Sequence, residues 1–184
     1  TGKGLEYGGS LARTEATGYG LIYFMDELLK SNGKSFRDAK VVISGSGNVA
    51  IYAHQKVTEL GGKVIAMSDS DGYIHDPEGI DLDTVKLIKE KERKRIRECS
   101  SIINTTQFYK GCLNIWDIKC DVALPCATQN EINIETAKKL VKNGCFAVGE
   151  GANMPCSIEA IDYFIKNKVL FGPAKAANAG GVAT

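Results

Sequence analysis

Short apolar runs alternate with amphipathic stretches along most of this chain. The runs predict buried strands, and apolar residues that recur every three or four positions predict the helices between them. The predicted strands cover residues 40–44, 63–67, 120–124, 145–149 and 169–171. The predicted helices cover 48–60, 134–143 and 157–167, and an earlier one is expected to be capped by Thr14 and to stop at Asn32-Gly33. Strands separated by helices are typical of βαβ units, so the pattern predicts an α/β fold with a doubly wound, mostly parallel sheet.

The middle of the chain has a less regular pattern. Residues 71–79 contain Asp-Gly and Asp-Pro steps, which predict a loop. A charged stretch with sparse apolar positions predicts one helix from about Asp83 to Cys99, and residues 100–117 carry no clear signal. His54 falls within the helix 48–60, where we expect it at the surface.

The junction between the first strand and the second helix carries a glycine pattern. Gly45, Gly47 and Ala50 match G-x-G-x-x-G/A, in which the glycines allow a tight turn and close approach of a pyrophosphate. The N–H groups that open the following helix face such an anion. The sequence therefore predicts a Rossmann-like dinucleotide-binding domain. Its predicted cofactor contacts at this turn are Gly45, Ser46, Gly47, Asn48 and Val49.

The end of the second strand carries the sequence Ser68-Asp69-Ser70. An acidic residue at this point holds the adenosine ribose in NAD sites and repels a 2′-phosphate, so Asp69 favours NAD. The hydroxyls of Ser68 and Ser70 can instead donate to phosphate oxygens. Lys91 and Lys94, in the charged stretch, could reach the same phosphate and would favour NADP. These residues alone leave both cofactors open.

Neutral polar residues follow the remaining strands. Ala127 and Thr128 come after the strand 120–124, Asn153 follows 145–149, and Asn178 follows the last strand. Ligands of doubly wound sheets bind beyond the carboxyl ends of the strands. Asparagine amides there can bind ribose hydroxyls and a carboxamide without adding charge. The set therefore supports a nicotinamide dinucleotide as the ligand.

Composition narrows the functional classes further. The chain has 184 residues, 43% of them hydrophobic, and a net charge of +1, so it lacks the basic footprint of a nucleic-acid or lipid-surface binder. No apolar run approaches the roughly 20 residues of a membrane span. Six cysteines without C-x-x-C spacing predict reduced, mostly buried thiols in the cytoplasm. Two histidines, far apart, predict no metal site.

Six longer motifs, taken in order, add a family resemblance. They occupy residues 8–10, 15–20, 44–50, 124–130, 150–155 and 175–182. Together they closely resemble the coenzyme domain of the small hexameric glutamate dehydrogenases, over the whole chain and least between 80 and 118. The resemblance implies an enzyme that interconverts L-glutamate and 2-oxoglutarate with ammonium, as a homohexamer. The Ser-Asp-Ser sequence resembles that of NADP-using members, so we expect NADP, with NAD as the alternative.

The resemblance also implies roles for single residues. Thr17 resembles the threonine near the nicotinamide carboxamide, and Asn178 the asparagine that holds that group. Ala127 and Asn153 resemble residues that line the cleft beside the ribose and pyrophosphate. Val182 resembles the residue that packs on the glutamate side chain.

The same resemblance bears on the extent of the domain. Residues 1–184 are expected to be one dinucleotide-binding domain, truncated at both ends and lacking the substrate domain that holds the catalytic lysine and aspartate. We therefore assign no catalytic residue to this chain and expect it to be inactive alone. Two alternatives stay open: a domain of an NAD-linked glutamate or other amino-acid dehydrogenase, and a nucleotide-binding module without catalysis.

Overall fold

A seven-stranded sheet forms the centre of the protein in a computed structural model that describes residues 13–180. The strands lie in the order β4-β3-β2-β1-β5-β6-β7. Five neighbouring strands, β2, β1, β5, β6 and β7, run parallel to one another. At the other side of the sheet β3 is antiparallel to β2, and β4 is antiparallel to β3. The strands are β1 Lys40–Ser44, β2 Lys63–Ser68, β3 Gly72–His75, β4 Gln107–Lys110, β5 Val122–Pro125, β6 Ala147–Gly149 and β7 Leu170–Gly172.

Helices cover both faces of this sheet, as the apolar pattern predicts. The longer ones are α1 Arg13–Ser31, α2 Asn48–Glu59, α5 Ile134–Lys142 and α6 Ile158–Lys166, and the short ones are α3 Leu82–Lys86, α4 Cys99–Ile102 and α7 Ala174–Ala177. Local signals mark several of their ends: α1 stops at Ser31, two residues before Gly33, whose φ is +67°, and the side chains of Asn133 and Ser157 cap the N-termini of α5 and α6. The doubly wound, mostly parallel fold is thus confirmed.

Two apolar clusters hold the helices to the sheet. Successive side chains of a strand point to opposite faces, and in β1 Val41 and Ile43 pack with Met25 in one cluster. Val42 belongs to the other, together with Phe164. This arrangement fixes the carboxyl ends of the parallel strands along one edge, where the loops that carry the polar motifs begin.

The single helix expected between Asp83 and Cys99 is not formed. Helix α3 passes into a π-helical turn at Leu87–Lys91, and a 3₁₀ turn at Ile96–Glu98 precedes α4. The chain breaks between the two turns, where Arg93 has a φ of +54° and the N–H of Ile96 donates to Asp69. A side chain distant in sequence thus takes a donor that a continuous helix would have used internally.

The segments expected as a loop or left without assignment contain β3 and β4. Both are short; β4 forms one edge of the sheet, and β3 lies next to it and alternates buried and half-buried positions. Gly72 allows their close pairing, because a Cβ there would lie 2.1 Å from the carbonyl oxygen of Tyr109. The loop prediction was therefore wrong over residues 72–75.

His54 was also wrongly placed by the pattern, since it is 2% exposed. Its imidazole donates to the carbonyl of Ile80, and its Nδ1 is buried without a hydrogen-bond partner. Burial lowers the pKa of His54 to about 4, so the side chain is neutral at neutral pH.

All six cysteines are free thiols; four are buried, and Cys112 and Cys126 are half-buried. Within residues 13–180 no helix has the length and apolar character needed to cross a membrane.

Candidate dinucleotide site

The glycine turn after β1 has the geometry that its sequence predicts. Gly45 has a φ of +88°, and a Cβ on it would lie 3.2 Å from the carbonyl oxygen of Cys126, so only glycine fits this left-handed position without strain. Its N–H donates to the hydroxyl of Ser68 at 2.9 Å, which ties the turn to the end of β2. Ser46 is buried beside it. The turn is therefore held from both neighbouring strands.

Gly47, unlike Gly45, borders open space. A Cβ on Gly47 would meet nothing within 4 Å, and its φ of −88° is accessible to any residue. Gly47 caps the N-terminus of α2, where Asn48 is exposed and Val49 half-buried. The first N–H groups of a helix have no partner inside it and carry partial positive charge. The turn and α2 thus form an open site for an anion such as a pyrophosphate.

The end of β2 is more constrained than its sequence suggests. The two carboxylate oxygens of Asp69 accept the N–H groups of Asp71 and Ile96, each at 2.9 Å. The side chain is only 6% exposed, and Lys89 Nζ lies 3.9 Å away. Asp69 therefore pins the chain around residue 96 against the β2–β3 turn, and both oxygens already have protein donors.

The pinned segment brings basic side chains to Ser70. Arg95 Nη1 lies 2.5 Å from the Ser70 hydroxyl, and Arg95 and Arg97 both lie within 4 Å of Asp71. Lys94 pairs instead with Glu92 at 3.0 Å. Lys91 is exposed in the adjoining π-helical turn. Arg95, which the sequence shows only as one cation in a charged run, is the basic residue that contacts Ser70.

The loop after β5 is fixed by a buried hydroxyl–carboxylate pair. Ser44 Oγ donates to Glu131 Oε1 at 2.9 Å and accepts the N–H of Cys126 at 2.9 Å. Glu131 also accepts the N–H groups of Ala127 and Thr128, each at 3.3 Å. Burial raises the pKa of Glu131, and the hydroxyl and N–H donors lower it in part. With these contacts made, Ala127 and Thr128 are exposed beyond the carboxyl end of β5.

The loop after β6 is held by a second buried carboxylate. Glu150 accepts the N–H of Cys156 at 3.2 Å and that of Ala174, in α7, at 2.8 Å. The side chain of Asn178 then donates to Asn153 Oδ1 at 3.3 Å and to the carbonyl of Ala152 at 3.4 Å. The two asparagines predicted from separate strand ends therefore lie in contact.

Helix α1 closes the same edge of the sheet. A Cβ on Gly18 would lie 2.8 Å from the carbonyl oxygen of Val49, so α1 packs closely against the start of α2. Thr17 is half-buried next to Gly18. Gly151 lies near the same place, because a Cβ on it would be 3.2 Å from the Val49 side chain. Val182 lies outside the described residues.

The site as a whole suits a bound dinucleotide. It offers an open helix N-terminus, the amides of exposed Asn153 and half-buried Asn178, and a serine–arginine pair at the end of β2. Both buried carboxylates at its base are occupied by backbone N–H groups, so neither faces an incoming phosphate. The sequence did not indicate the roles of Ser44, Glu131 and Glu150, because nothing local marks a side chain that stabilises a distant loop.

Comparison with known proteins agrees with this geometry. Residues 8–184 match a family model described as glutamate/leucine/phenylalanine/valine dehydrogenase. A glutamate dehydrogenase of Bacteroides thetaiotaomicron is 55% identical over 99% of this chain, and an NADP-specific one of Haemophilus influenzae is 50% identical over 100%. An NAD-specific relative from Bacteroides fragilis is 48% identical. The chain spans about 41% of the length of the first two relatives.

Solved structures of glutamate dehydrogenases also match this chain. The crystal structure of Plasmodium falciparum glutamate dehydrogenase superimposes with a TM-score of 0.93 at 46% sequence identity. That match covers 100% of this chain and 40% of the other.

Proposed function

Because this chain belongs to the glutamate/leucine/phenylalanine/valine dehydrogenase family, we propose that it is the coenzyme-binding domain of an NADP-dependent glutamate dehydrogenase. In the whole protein the reaction would convert L-glutamate, NADP and water to 2-oxoglutarate, ammonium and NADPH, reversibly. The bound cofactor would accept or give the hydride. The observation that carries the proposal is the open anion site at Gly47 and the N-terminus of α2.

The residues of this chain would bind and orient the cofactor. Gly45, Ser46, Gly47, Asn48 and Val49 would receive the pyrophosphate, and Ala127, Thr128 and Asn153 would line the cleft. The amides of Asn153 and Asn178, already in contact, are suited to hold ribose and carboxamide groups. Thr17 would lie beside the carboxamide and Val182 beside the substrate. Ser68 supports the turn through the N–H of Gly45.

The preference for NADP rests on what surrounds Asp69. Its two oxygens are occupied by backbone N–H groups, so binding a ribose diol would compete with contacts that hold the chain in place. Ser70 and Arg95 are exposed and can donate to a 2′-phosphate. Lys91 and Lys94, also exposed, remain candidates for the same group. A charge-assisted bond contributes about 1.5–3 kcal/mol, or roughly tenfold or more in affinity.

Binding measurements with this chain test the proposal directly. NADPH fluorescence titration should show saturable binding that is tighter than that of NADH. A double Lys91→Ala, Lys94→Ala variant and an Arg95→Met variant then show which cation sets the ratio. Equal affinity for both dinucleotides would contradict the NADP assignment, and no binding of either would contradict the dinucleotide site.

We also propose that this chain is inactive alone, because it spans about 41% of the relatives that it matches. Glutamate-dependent reduction of NADP by the purified chain would contradict this.

For the whole protein we propose a homohexamer, as the family resemblance implies. Native mass spectrometry of the whole protein would test this. A cytoplasmic location is proposed from the free thiols, since the cytoplasm keeps such groups reduced.

A further inference from the structure

The three methionines of this chain differ sharply in accessibility. Met25 and Met67 lie in the core and are 0% exposed, whereas Met154, on the loop after β6, is 64% exposed. Oxidation of a thioether requires that the oxidant reach the sulfur. Met154 is therefore the methionine open to attack while the protein stays folded.

The position of Met154 connects it to the candidate dinucleotide site. It directly follows Asn153, whose side chain contacts Asn178, and its carbonyl accepts the N–H of Asn130 at 3.0 Å. It thus joins the loops after β5 and β6 on the edge where the cofactor would bind. Its φ of +45° is uncommon for a residue other than glycine.

We propose that Met154 is a site of reversible sulfoxidation by hydrogen peroxide, and that its oxidation weakens dinucleotide binding. The second half rests on the proposed function. In the reaction the sulfur attacks one peroxide oxygen, the O–O bond breaks and an S–O bond forms. The other oxygen leaves as water, taking the proton of the transferred oxygen. Sulfur is oxidised by two electrons and the peroxide is reduced by two.

The chemistry of the sulfoxide gives the direction of the effect. Oxidation replaces a flexible apolar group by a polar S–O group that holds water. A dinucleotide that covers the loop would have to displace this water without replacing its hydrogen bonds. We expect roughly tenfold weaker binding, the loss that follows from one partly desolvated polar group.

Nearby thiols compete poorly for the same oxidant. Burial raises the pKa of both Cys126 and Cys156 well above the usual thiol range, so both stay protonated at neutral pH. The thiolate is the reactive form of cysteine. A reducing step after oxidation would also convert any disulfide or sulfenic acid formed at a cysteine back to the thiol, but would leave a methionine sulfoxide intact.

The experiment exposes this 184-residue chain to hydrogen peroxide and removes the oxidant with catalase. Dithiothreitol then restores the thiols, and mass spectrometry locates the added oxygen. NADPH affinity is measured before and after. The Met154→Leu variant, which lacks the sulfur, is treated in parallel, and methionine sulfoxide reductase is added to one sample of the oxidised parent.

We expect sulfoxide at Met154 before Met25 and Met67, about tenfold loss of NADPH affinity in the parent, and recovery with the reductase. In Met154→Leu, peroxide should not change the dissociation constant. Oxidation of Met25 or Met67 at the same rate would overturn the modification site. An equal loss of affinity in Met154→Leu would overturn its effect on binding. If the untreated chain does not bind NADPH, the proposed function fails, and the effect on binding with it, while the order of oxidation still decides whether Met154 is the modified residue.

Discussion

Acidification should destabilise this protein through one buried side chain, His54. It lies on α2, is 2% exposed, and is held neutral with a pKa of about 4. Burial is the main cause, and the nearby Lys86 lowers the pKa further while Asp81 and the carbonyl of Ile80 raise it. In the unfolded chain the same imidazole titrates near its ordinary value of 6.5.

The size and sign of the effect follow from these two values. Between pH 6.5 and 4 the unfolded chain binds a proton at His54 that the folded protein does not, so the free energy of unfolding falls as the pH falls. A pKa difference of this size lowers the free energy of unfolding by about 3 kcal/mol. None of this loss is felt above pH 6.5, and nearly all of it is felt at pH 4. Since small domains are stable by about 5–15 kcal/mol, the loss should be easily measured.

Urea unfolding from pH 7.5 to 5 measures this slope, and His54→Gln should reduce it strongly. His75→Gln is the matched control, because His75 is more exposed and its pKa is lowered less. Two carboxylates contribute with opposite signs. The lowered pKa of Asp76 costs stability only as the pH falls below its ordinary value of 3.8, outside this range. The raised pKa of Glu131 adds stability as the pH falls towards its ordinary value of 4.5, so it opposes the His54 slope equally in the parent and in both variants. If His54→Gln keeps the full slope of the parent, the buried imidazole is not the cause and the reasoning is wrong.

Three further predictions concern the candidate site. Gly47→Val should abolish NADPH binding in calorimetric titration yet change the unfolding free energy by no more than about 1 kcal/mol, since the φ of Gly47 is unstrained. Gly45→Val, at a left-handed position, should instead lower the unfolding free energy. Unchanged NADPH affinity in Gly47→Val would mean that the cofactor binds elsewhere. Arg95→Met should cut the NADPH-to-NADH affinity ratio about tenfold, more than Lys94→Met does, and equal losses would refute this ranking. Ser44→Ala should cost about 1–3 kcal/mol in urea unfolding, because the N–H of Cys126 loses its acceptor, and no loss would show that water replaces the hydroxyl.

Sequence reasoning predicted well what local patterns determine. The strands around Ile43 and Leu124 are short, apolar at their centres and followed by turn residues, so their positions and the edge where their loops meet could be derived directly. The conformation of Gly45 and the open space at Gly47 also follow from the glycine spacing. Each of these features depends on neighbours within a few positions along the chain.

The failures all involve partners distant in sequence. The helix expected from Asp83 breaks because Asp69, 27 positions before Ile96, captures its N–H. The strand that begins at Gly72 forms because residue 73 pairs with Tyr109, whose carbonyl leaves no room for a side chain at Gly72. His54 looks polar on a helical pattern, yet the loop at Ile80 covers it.

The role of Asp69 shows why such contacts bear on cofactor choice. A rule that reads an acidic residue at the end of β2 as a ribose ligand assumes that the carboxylate is free. Here its two oxygens accept protein N–H groups, and the segment that they fix carries Arg95 to Ser70. The same residue that would argue for NAD in the sequence therefore holds, in the structure, the segment that carries the cation of the proposed 2′-phosphate site. If the proposed NADP preference is right, we expect it to weaken when Asp69 no longer binds the N–H of Ile96.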